Sequence, residues 1–123
     1  MIVAGTSSDS EPDGIKMAGN ASICISFDRE KTISVQCDTL DNILAEYEVN
    51  VLKMDIEGAE VMALEGASSV LKRLRKIVVE IHGDNLATVQ SILMENGFEV
   101  ITIPYELNNY VIGTRPVAVT PGR

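Results

Sequence analysis

The stretch VLKMDIEGAEVMALEGASSVLKRLRKIVVEIH, residues 51–82, switches between two kinds of hydrophobic spacing. Residues 50–56 and 76–82 are rich in apolar and β-branched side chains, which favours two strands. Between them, residues 59–74 carry apolar side chains at helical spacing, with an expected break near Gly66. The sequence therefore predicts a strand–helix–strand unit, which is typical of two parallel neighbouring strands.

The segments on either side extend this pattern, with a hairpin and a short helix before the unit and a helix and a second hairpin after it. In chain order, these predicted elements are strands 21–27 and 32–38, helix 39–48 with Thr39 as N-cap, helix 84–97 with Asp84 as N-cap and Gly97 as left-handed C-cap, and strands 98–104 and 109–116. The predicted fold class is α/β, with a three-layer, mostly parallel sheet that ends in an antiparallel hairpin.

Length and composition exclude several classes of protein. The 123 residues predict one domain, 1–123, with residues 1–20 as a flexible lead and 114–123 as a tail. No apolar run approaches the ~18 residues of a membrane span, and the net charge of −8 disfavours nucleic acid as a partner. The N-terminus resembles no secretory signal, and Cys24 and Cys37 form no metal-binding pattern. We therefore expect reduced thiols in a cytoplasmic protein.

Two of the predicted strands end in charged residues. Lys53 and Asp55 share one face of the first strand, and Glu80 and His82 share one face of the second, because side chains alternate along a strand. If the two strands are parallel neighbours in register, Lys53 meets Glu80 and Asp55 meets His82. Ligands of open α/β sheets bind beyond these carboxyl ends of the strands, so the sequence places the functional cleft there.

The two pairs have different interpretations. For Lys53 with Glu80, a structural ion pair is favoured over a catalytic role, since a charge inside a strand needs a partner. For Asp55 with His82, two interpretations stay open. An Asp beside a His raises the basicity of the imidazole, as a general base requires, whereas a hydrogen bond at the rim would only cap the following helix.

The turn after the first strand adds two more acids. Gly58 permits a tight turn, and Glu60 is interpreted as an acid that stabilises the start of the next helix. Glu57 lies on the turn itself and is expected to face the cleft. Asp55, Glu57 and His82 are candidate ligands for a divalent metal, but three candidates without a fixed spacing are a weak pattern. The sequence therefore predicts no metal.

VLKMDIEGAEVMALEGA, residues 51–67, resembles the "lKiDvEGaE…vL.Ga" signature of the FkbM family of S-adenosylmethionine-dependent methyltransferases. ISVQCDTLDNIL (33–44) and IVVEIH (77–82) are similar to two flanking segments of that family, at matching spacing. The resemblance covers residues 32–100, and no comparable match is found for residues 1–31.

The resemblance implies a partial Rossmann-like methyltransferase fold and transfer of a methyl group from S-adenosylmethionine to a small-molecule acceptor, a sugar or polyketide-like hydroxyl. By resemblance, Asp55 lies beside both the methyl donor and the acceptor. Asp55 with His82 would then remove the hydroxyl proton, and Glu57 would orient the acceptor or the donor.

The sequence departs from the family where a glycine-rich loop for the donor is expected, because its nine glycines form no GxG pattern. We therefore expect the carboxyl-terminal half of such an enzyme, with weak donor binding by this chain alone. Strand 50–56 would then be an exposed edge, which the 21–38 hairpin, a second copy or a complementing chain would cover. The alternative functions are a non-catalytic binding or assembly module and a remnant without function.

Overall fold

The computed structural model describes residues 2–6 and 32–117, with side chains from residue 36 onward. The described elements follow one another as β1 (Ile2–Thr6), β2 (Thr32–Gln36), α1 (Leu40–Ile43), β3 (Val51–Met54), α2 (Glu60–Glu65), α3 (Ser68–Arg73), β4 (Lys76–Ile81), α4 (Leu86–Glu95), β5 (Glu99–Tyr105) and β6 (Asn108–Thr114). The longest of these helices has ten residues, and no described helix is long and apolar enough to cross a membrane.

The first two strands form a sheet of their own. β1 and β2 pair antiparallel, with Ile2 opposite Gln36 and Thr6 opposite Thr32. β1 therefore lies inside residues 1–20, the segment that was predicted to be a flexible lead. The predicted partner strand of β2, residues 21–27, lies outside the described residues, as do residues 7–20. Cys37, directly after β2, is a free thiol, while Cys24 is not described.

The other four strands form one open sheet in the order β3-β4-β6-β5. β3 and β4 are parallel, whereas β6 is antiparallel to both β4 and β5. The α/β class and the closing hairpin are thus confirmed. Three of the four strands, β3, β4 and β5, run in the same direction, but β6 enters between β4 and β5, so that β3 and β4 are the one parallel pair of neighbours in this sheet. A small residue permits this insertion, because a Cβ at Gly113 of β6 would lie 2.9 Å from Ile77 Cγ2 of β4.

The described helices pack on one face of this sheet. Alternate residues of β4 that face the helices are buried, as are the inward residues of α3 and α4. The core cluster includes Val70, Leu71, Ile77, Val79, Ile81, Val89, Leu93 and Val111. The opposite face carries exposed apolar side chains on both outer strands, namely Val51, Ile101, Ile103 and Tyr105. The four-stranded sheet and the described helices therefore form two layers rather than the predicted three.

The break predicted near Gly66 is confirmed, and residues from α1 stabilise it. A Cβ at Gly66 would lie 3.2 Å from Thr39 Cβ, so the small residue lets the two segments approach closely. Asp41 accepts hydrogen bonds at 2.9 Å from the backbone N–H groups of Ser69 and Val70. A carboxylate from α1 thus satisfies the free N–H groups at the start of α3. Thr39 caps α1 itself, as predicted.

At α4, the longest described helix, the predicted cap is confirmed at one end only. Gly97 follows α4 with φ 85°, which confirms the left-handed conformation expected there. At the other end the N-cap is Asn85, without a capping hydrogen bond from its side chain, so the prediction of Asp84 is wrong. Asn85 instead donates to the carbonyl of Gly58, in the turn after β3.

The predicted tail, residues 114–123, overlaps the end of β6. β6 extends to Thr114, and Arg115 donates hydrogen bonds to the carbonyls of Leu71, Leu74 and Asn96. Its guanidinium also lies 4.5 Å from the centre of the Phe98 ring, a cation–π distance. The first residues after β6 are therefore fixed against the helical layer. Residues 118–123 lie outside the described residues.

Candidate functional site

The candidate site lies where β3 and β4 end side by side. Because these strands are parallel, the residues that follow them lie together at the carboxyl ends of the strands. The register places Lys53 beside Val78, which is two residues away from the predicted register. Asp55 therefore continues level with Glu80, and the ion pair predicted between Lys53 and Glu80 is not among the ion pairs of the described side chains.

His82 is the centre of the site. Its Nε2 lies 3.9 Å from Asp55 Oδ1 and 3.5 Å from Glu57 Oε2. Glu80 Oε1 lies 3.9 Å from the same nitrogen. The structure thus brings together the three residues that the sequence nominated as catalytic, Asp55, Glu57 and His82. The side chain of His82 is 17% exposed, while those of Asp55 and Glu57 are 39% and 33% exposed, so the site opens on its acidic side.

The other imidazole nitrogen is held by a buried acid. His82 Nδ1 lies 2.8 Å from Oε1 of Glu60, whose side chain is fully buried. Gly58 N–H and the side-chain amide of Asn85 also donate to this carboxylate. Burial by itself raises the pKa of Glu60, but these hydrogen bonds outweigh it and lower the pKa below its usual value. An ionised Glu60 can only accept, so Nδ1 carries the hydrogen.

A strained turn aims these side chains. Glu57 has φ 52° and Gly58 has φ 104°, so two successive residues adopt positive φ between β3 and α2. Glycine adopts this conformation easily, whereas it is unusual for a glutamate. The turn places Glu57, partly exposed, beside His82 Nε2. Glu60, three residues later, begins α2 and is buried beside Nδ1.

The charge of His82 reflects two opposing effects. Burial lowers the pKa of the imidazole, but the hydrogen bond to Glu60 and the nearby carboxylates of Glu57 and Glu80 raise it above its usual value. The imidazole is therefore more basic than a free histidine side chain. Asp55, the most exposed acid of the group, is best placed among the site carboxylates to meet a ligand from solvent.

Glu80, on β4, lies beside the site on the face of the sheet that the described helices leave open. Asn108 donates a hydrogen bond to Glu80 Oε1 at 2.9 Å. This hydrogen bond is the main cause of a lowered pKa at Glu80, and contacts with Tyr110 and Asp55 act in the same direction against the effect of burial. Burial and the contact with Glu80 raise the pKa of the Tyr110 hydroxyl in turn. Strands β4 and β6 therefore support the site through this polar network.

A comparison with protein-family models covers most of the chain. The family model described as "Methyltransferase FkbM domain" matches residues 3–105. The chain belongs to the FkbM methyltransferase domain family. A comparison with curated proteins and one with solved structures each gave no significant match.

The FkbM domain extends further toward the N-terminus than the sequence indicated. The match begins at residue 3, so the expectation of no match in residues 1–31 is wrong. Family membership suggests a methyltransferase, and such enzymes in general use S-adenosylmethionine. It confirms the resemblance drawn from residues 51–67.

Two residues of the candidate site were not anticipated in their observed roles. Glu60 does begin the helix, as expected, but its carboxylate is also the partner of His82. Asn85 was given no role, although its amide donates to that carboxylate at 2.8 Å. The signal for Glu60 was its place two residues after Gly58 in a predicted strand-to-helix turn, but burial of its side chain depends on packing that no local pattern reveals.

Proposed function

We propose that this chain transfers a methyl group from S-adenosylmethionine to a hydroxyl of a small-molecule acceptor, such as a sugar or polyketide-like compound. The observation that carries the proposal is the contact between buried Glu60 and His82 Nδ1, which directs Nε2 toward Asp55 and Glu57. Membership of the FkbM family supports methyl transfer in general. The three like-directed strands β3, β4 and β5 support a partial Rossmann-like arrangement.

The charges of the site fit a methyl donor of this kind. S-adenosylmethionine supplies its methyl group from a positively charged sulfonium, which an acidic cleft favours electrostatically. Asp55 and Glu57 are the partly exposed carboxylates at the mouth of the site. We assign the donor contact to Asp55, with no geometry beyond its place at the end of β3.

The acceptor hydroxyl must lose its proton as its oxygen bonds to the methyl carbon and the carbon–sulfur bond breaks. In the proposed reaction, His82 Nε2 accepts that proton, and the negative charge of Glu60 on the other nitrogen stabilises the imidazolium that forms. Asp55 stabilises the same cation from the open side. Glu57 orients the acceptor, since its carboxylate lies 3.5 Å from Nε2 and is one-third exposed.

Turnover measurements test this assignment. The chain is incubated with S-adenosylmethionine at millimolar concentration and a panel of sugar and polyketide-like alcohols, and S-adenosylhomocysteine is quantified by mass spectrometry. Loss of a general base lowers a rate by about 10²–10⁴-fold, so the turnover rate of His82→Gln is expected to be lower than that of the wild type by this factor. Asp55→Asn is expected to slow turnover as well, whereas Glu65→Gln, an exposed acid on α2, serves as the matched control. Wild-type turnover in His82→Gln would refute its role as the base.

A second candidate function is a binding or assembly module. The observation that favours it is the position of β3 at one edge of the four-stranded sheet, with Val51 61% exposed. Unpaired backbone groups of an edge strand can pair with a strand of another chain. This candidate predicts partner binding that Asp55→Asn leaves unchanged, together with no measurable turnover.

A further inference from the structure

The side chains of Asp55, Glu57 and His82 converge at the carboxyl ends of β3 and β4. One nitrogen and two carboxylate oxygens, one ligand atom from each residue, all lie within 4.8 Å of one another. The two distances from His82 Nε2, 3.5 and 3.9 Å, exceed the roughly 2.7–3.2 Å of an N–H···O hydrogen bond. Two ligand atoms about 2.1 Å from one tetrahedral metal ion lie about 3.4 Å apart, which is close to the shorter distance.

We propose that Asp55, Glu57 and His82 form a binding site for one divalent transition-metal cation at the carboxyl ends of β3 and β4. The donor set is one imidazole nitrogen and two carboxylate oxygens. Such a mixed set suits Mn²⁺ or Zn²⁺, since imidazole is a good ligand for zinc and carboxylates are good ligands for manganese. Cation binding goes beyond the proposed methyl transfer and does not depend on it. A cation on Nε2 occupies the lone pair that accepts the proton in that reaction, so a bound cation is expected to inhibit His82 as a base.

The surroundings of His82 support this site independently of the acidic residues at its mouth. Metal-ligating histidines typically donate the hydrogen of their second ring nitrogen to a carboxylate, which fixes the tautomer and the ring orientation. Glu60 occupies that position, fully buried and 2.8 Å from Nδ1. Its carboxylate is itself held by Gly58 and Asn85. The lone pair of a neutral His82 therefore lies on Nε2, directed at the two carboxylates.

The balance of charge around Nε2 also favours a cation. Glu80 adds a further carboxylate oxygen at 3.9 Å, so three acids face one imidazole nitrogen. Lys53, on the same face of β3, is exposed and forms no ion pair with them among the described side chains. The carboxylates attract a divalent ion electrostatically, and the partial exposure of Asp55 and Glu57 lets the ion enter and retain water ligands.

Titration with Mn²⁺ tests the site without donor, acceptor or turnover. Electron paramagnetic resonance measures free Mn²⁺, and we expect one bound ion per chain. Asp55→Asn/Glu57→Gln is expected to abolish this binding, while Glu65→Gln, an exposed acid on α2, retains it. Glu60→Gln should weaken affinity by about 10–100-fold, the usual effect of removing a carboxylate that orients a histidine ligand. Circular dichroism verifies that each variant is folded.

A spectroscopic signature tests the histidine ligand directly. His82 is the single histidine of the chain, so its two ring nitrogens give unambiguous ¹⁵N resonances. Added Zn²⁺ is expected to shift Nε2 much more than Nδ1. Absence of bound Mn²⁺ at millimolar concentration, equal binding by the double variant, or an unchanged Nε2 resonance would each overturn the proposal. Methyl transfer without bound metal would leave the proposed function intact, and metal binding without methyl transfer would leave the site intact.

Discussion

His82 Nδ1 and Glu60 Oε1 lie 2.8 Å apart, although the two residues belong to different strand-to-helix turns. Glu60 begins the helix that follows β3, and His82 follows β4. Their contact therefore connects the two segments at the carboxyl ends of these strands. A fully buried carboxylate with three hydrogen-bond donors is more tightly held than an acid at an exposed helix start. The orientation of the site histidine therefore depends on the interior of the protein.

Replacement of Glu60 is expected to destabilise the fold. In Glu60→Ala, Gly58 N–H, the Asn85 amide and His82 lose a charged acceptor, and a hydrogen bond to a charged group contributes about 1.5–3 kcal/mol. Glu65→Ala removes the same type of side chain from the exposed side of α2 and should change stability by less than about 0.5 kcal/mol. Urea unfolding of both variants measures the difference, and equal stabilities would show that the buried contacts contribute nothing.

The contact between Asp41 and α3 predicts a dependence of stability on pH. Hydrogen bonds from the N–H groups of Ser69 and Val70 lower the pKa of Asp41 in the folded protein. A lowered pKa stabilises the fold above the unfolded value of about 3.9, and this contribution is lost as the pH falls through the lower folded value. Asp41→Asn should therefore be less stable than the wild type at pH 7, and the gap should narrow toward pH 2.

Thermal unfolding at pH 7 and at a series of lower pH values measures the difference in stability between Asp41→Asn and the wild type. Asp84→Asn is the matched control, since Asp84 is an exposed acid that caps no helix. A constant gap between Asp41→Asn and the wild type across the whole pH range would contradict the prediction.

Gly113 is expected to be intolerant of a side chain. A methyl group there would lie 2.9 Å from Ile77 Cγ2 and 3.3 Å from Phe98 Cβ, both in the core. Overpacking of this kind costs about 1–3 kcal/mol, so Gly113→Ala should unfold at a lower urea concentration. Since β6 separates β4 from β5, amide exchange in all three strands should accelerate in the variant. Unaltered stability would mean that the sheet can widen without cost.

Association through the edge of β3 stays a prediction from the sequence, and the structure suggests a direct test. Lysine is a common protection for an edge strand, so Val51→Lys should reduce self-association if two copies pair there. Met94→Lys, on the exposed side of α4, introduces the same charge away from the edge and should leave it unchanged. Sedimentation velocity over a range of concentrations measures both, and equal sedimentation of the two variants would exclude this edge.

Binding of S-adenosylmethionine by the chain alone is expected to be weak, because the sequence contains no glycine-rich loop of the GxG type to approach the donor. Isothermal titration calorimetry measures the affinity directly. A dissociation constant in the micromolar range would contradict the expectation and would show that the residues around Asp55 are sufficient for the donor.

Local patterns predicted the elements better than their arrangement. The capping of α1 by Thr39, the break at Gly66 and the end of α4 at Gly97 follow from a few neighbouring residues, and each is confirmed. The insertion of β6 beside β4 depends on the fit of Gly113 against Ile77, which are 36 positions apart in the numbering. Alternation of strands and helices carries no information about such a contact.

The same limit applies to the candidate site. The faces of Lys53, Asp55, Glu80 and His82 followed from alternation along each strand, and the clustering of Asp55, Glu57 and His82 followed from the parallel pair. The register between β3 and β4 did not follow from alternation, because a shift of two residues keeps every side chain on the same face of the sheet. That shift places Asp55 level with Glu80 and separates Lys53 from it.

Arg115, directly after β6, connects two of the helices. Its guanidinium holds carbonyl oxygens of Leu71 and Asn96, near the C-terminal ends of α3 and α4, while stacking on Phe98. One side chain thus neutralises the negative dipole ends of two helices at once. Local unfolding of either helix should therefore destabilise the other. The two helices should open as one cooperative unit that is linked by a single guanidinium group.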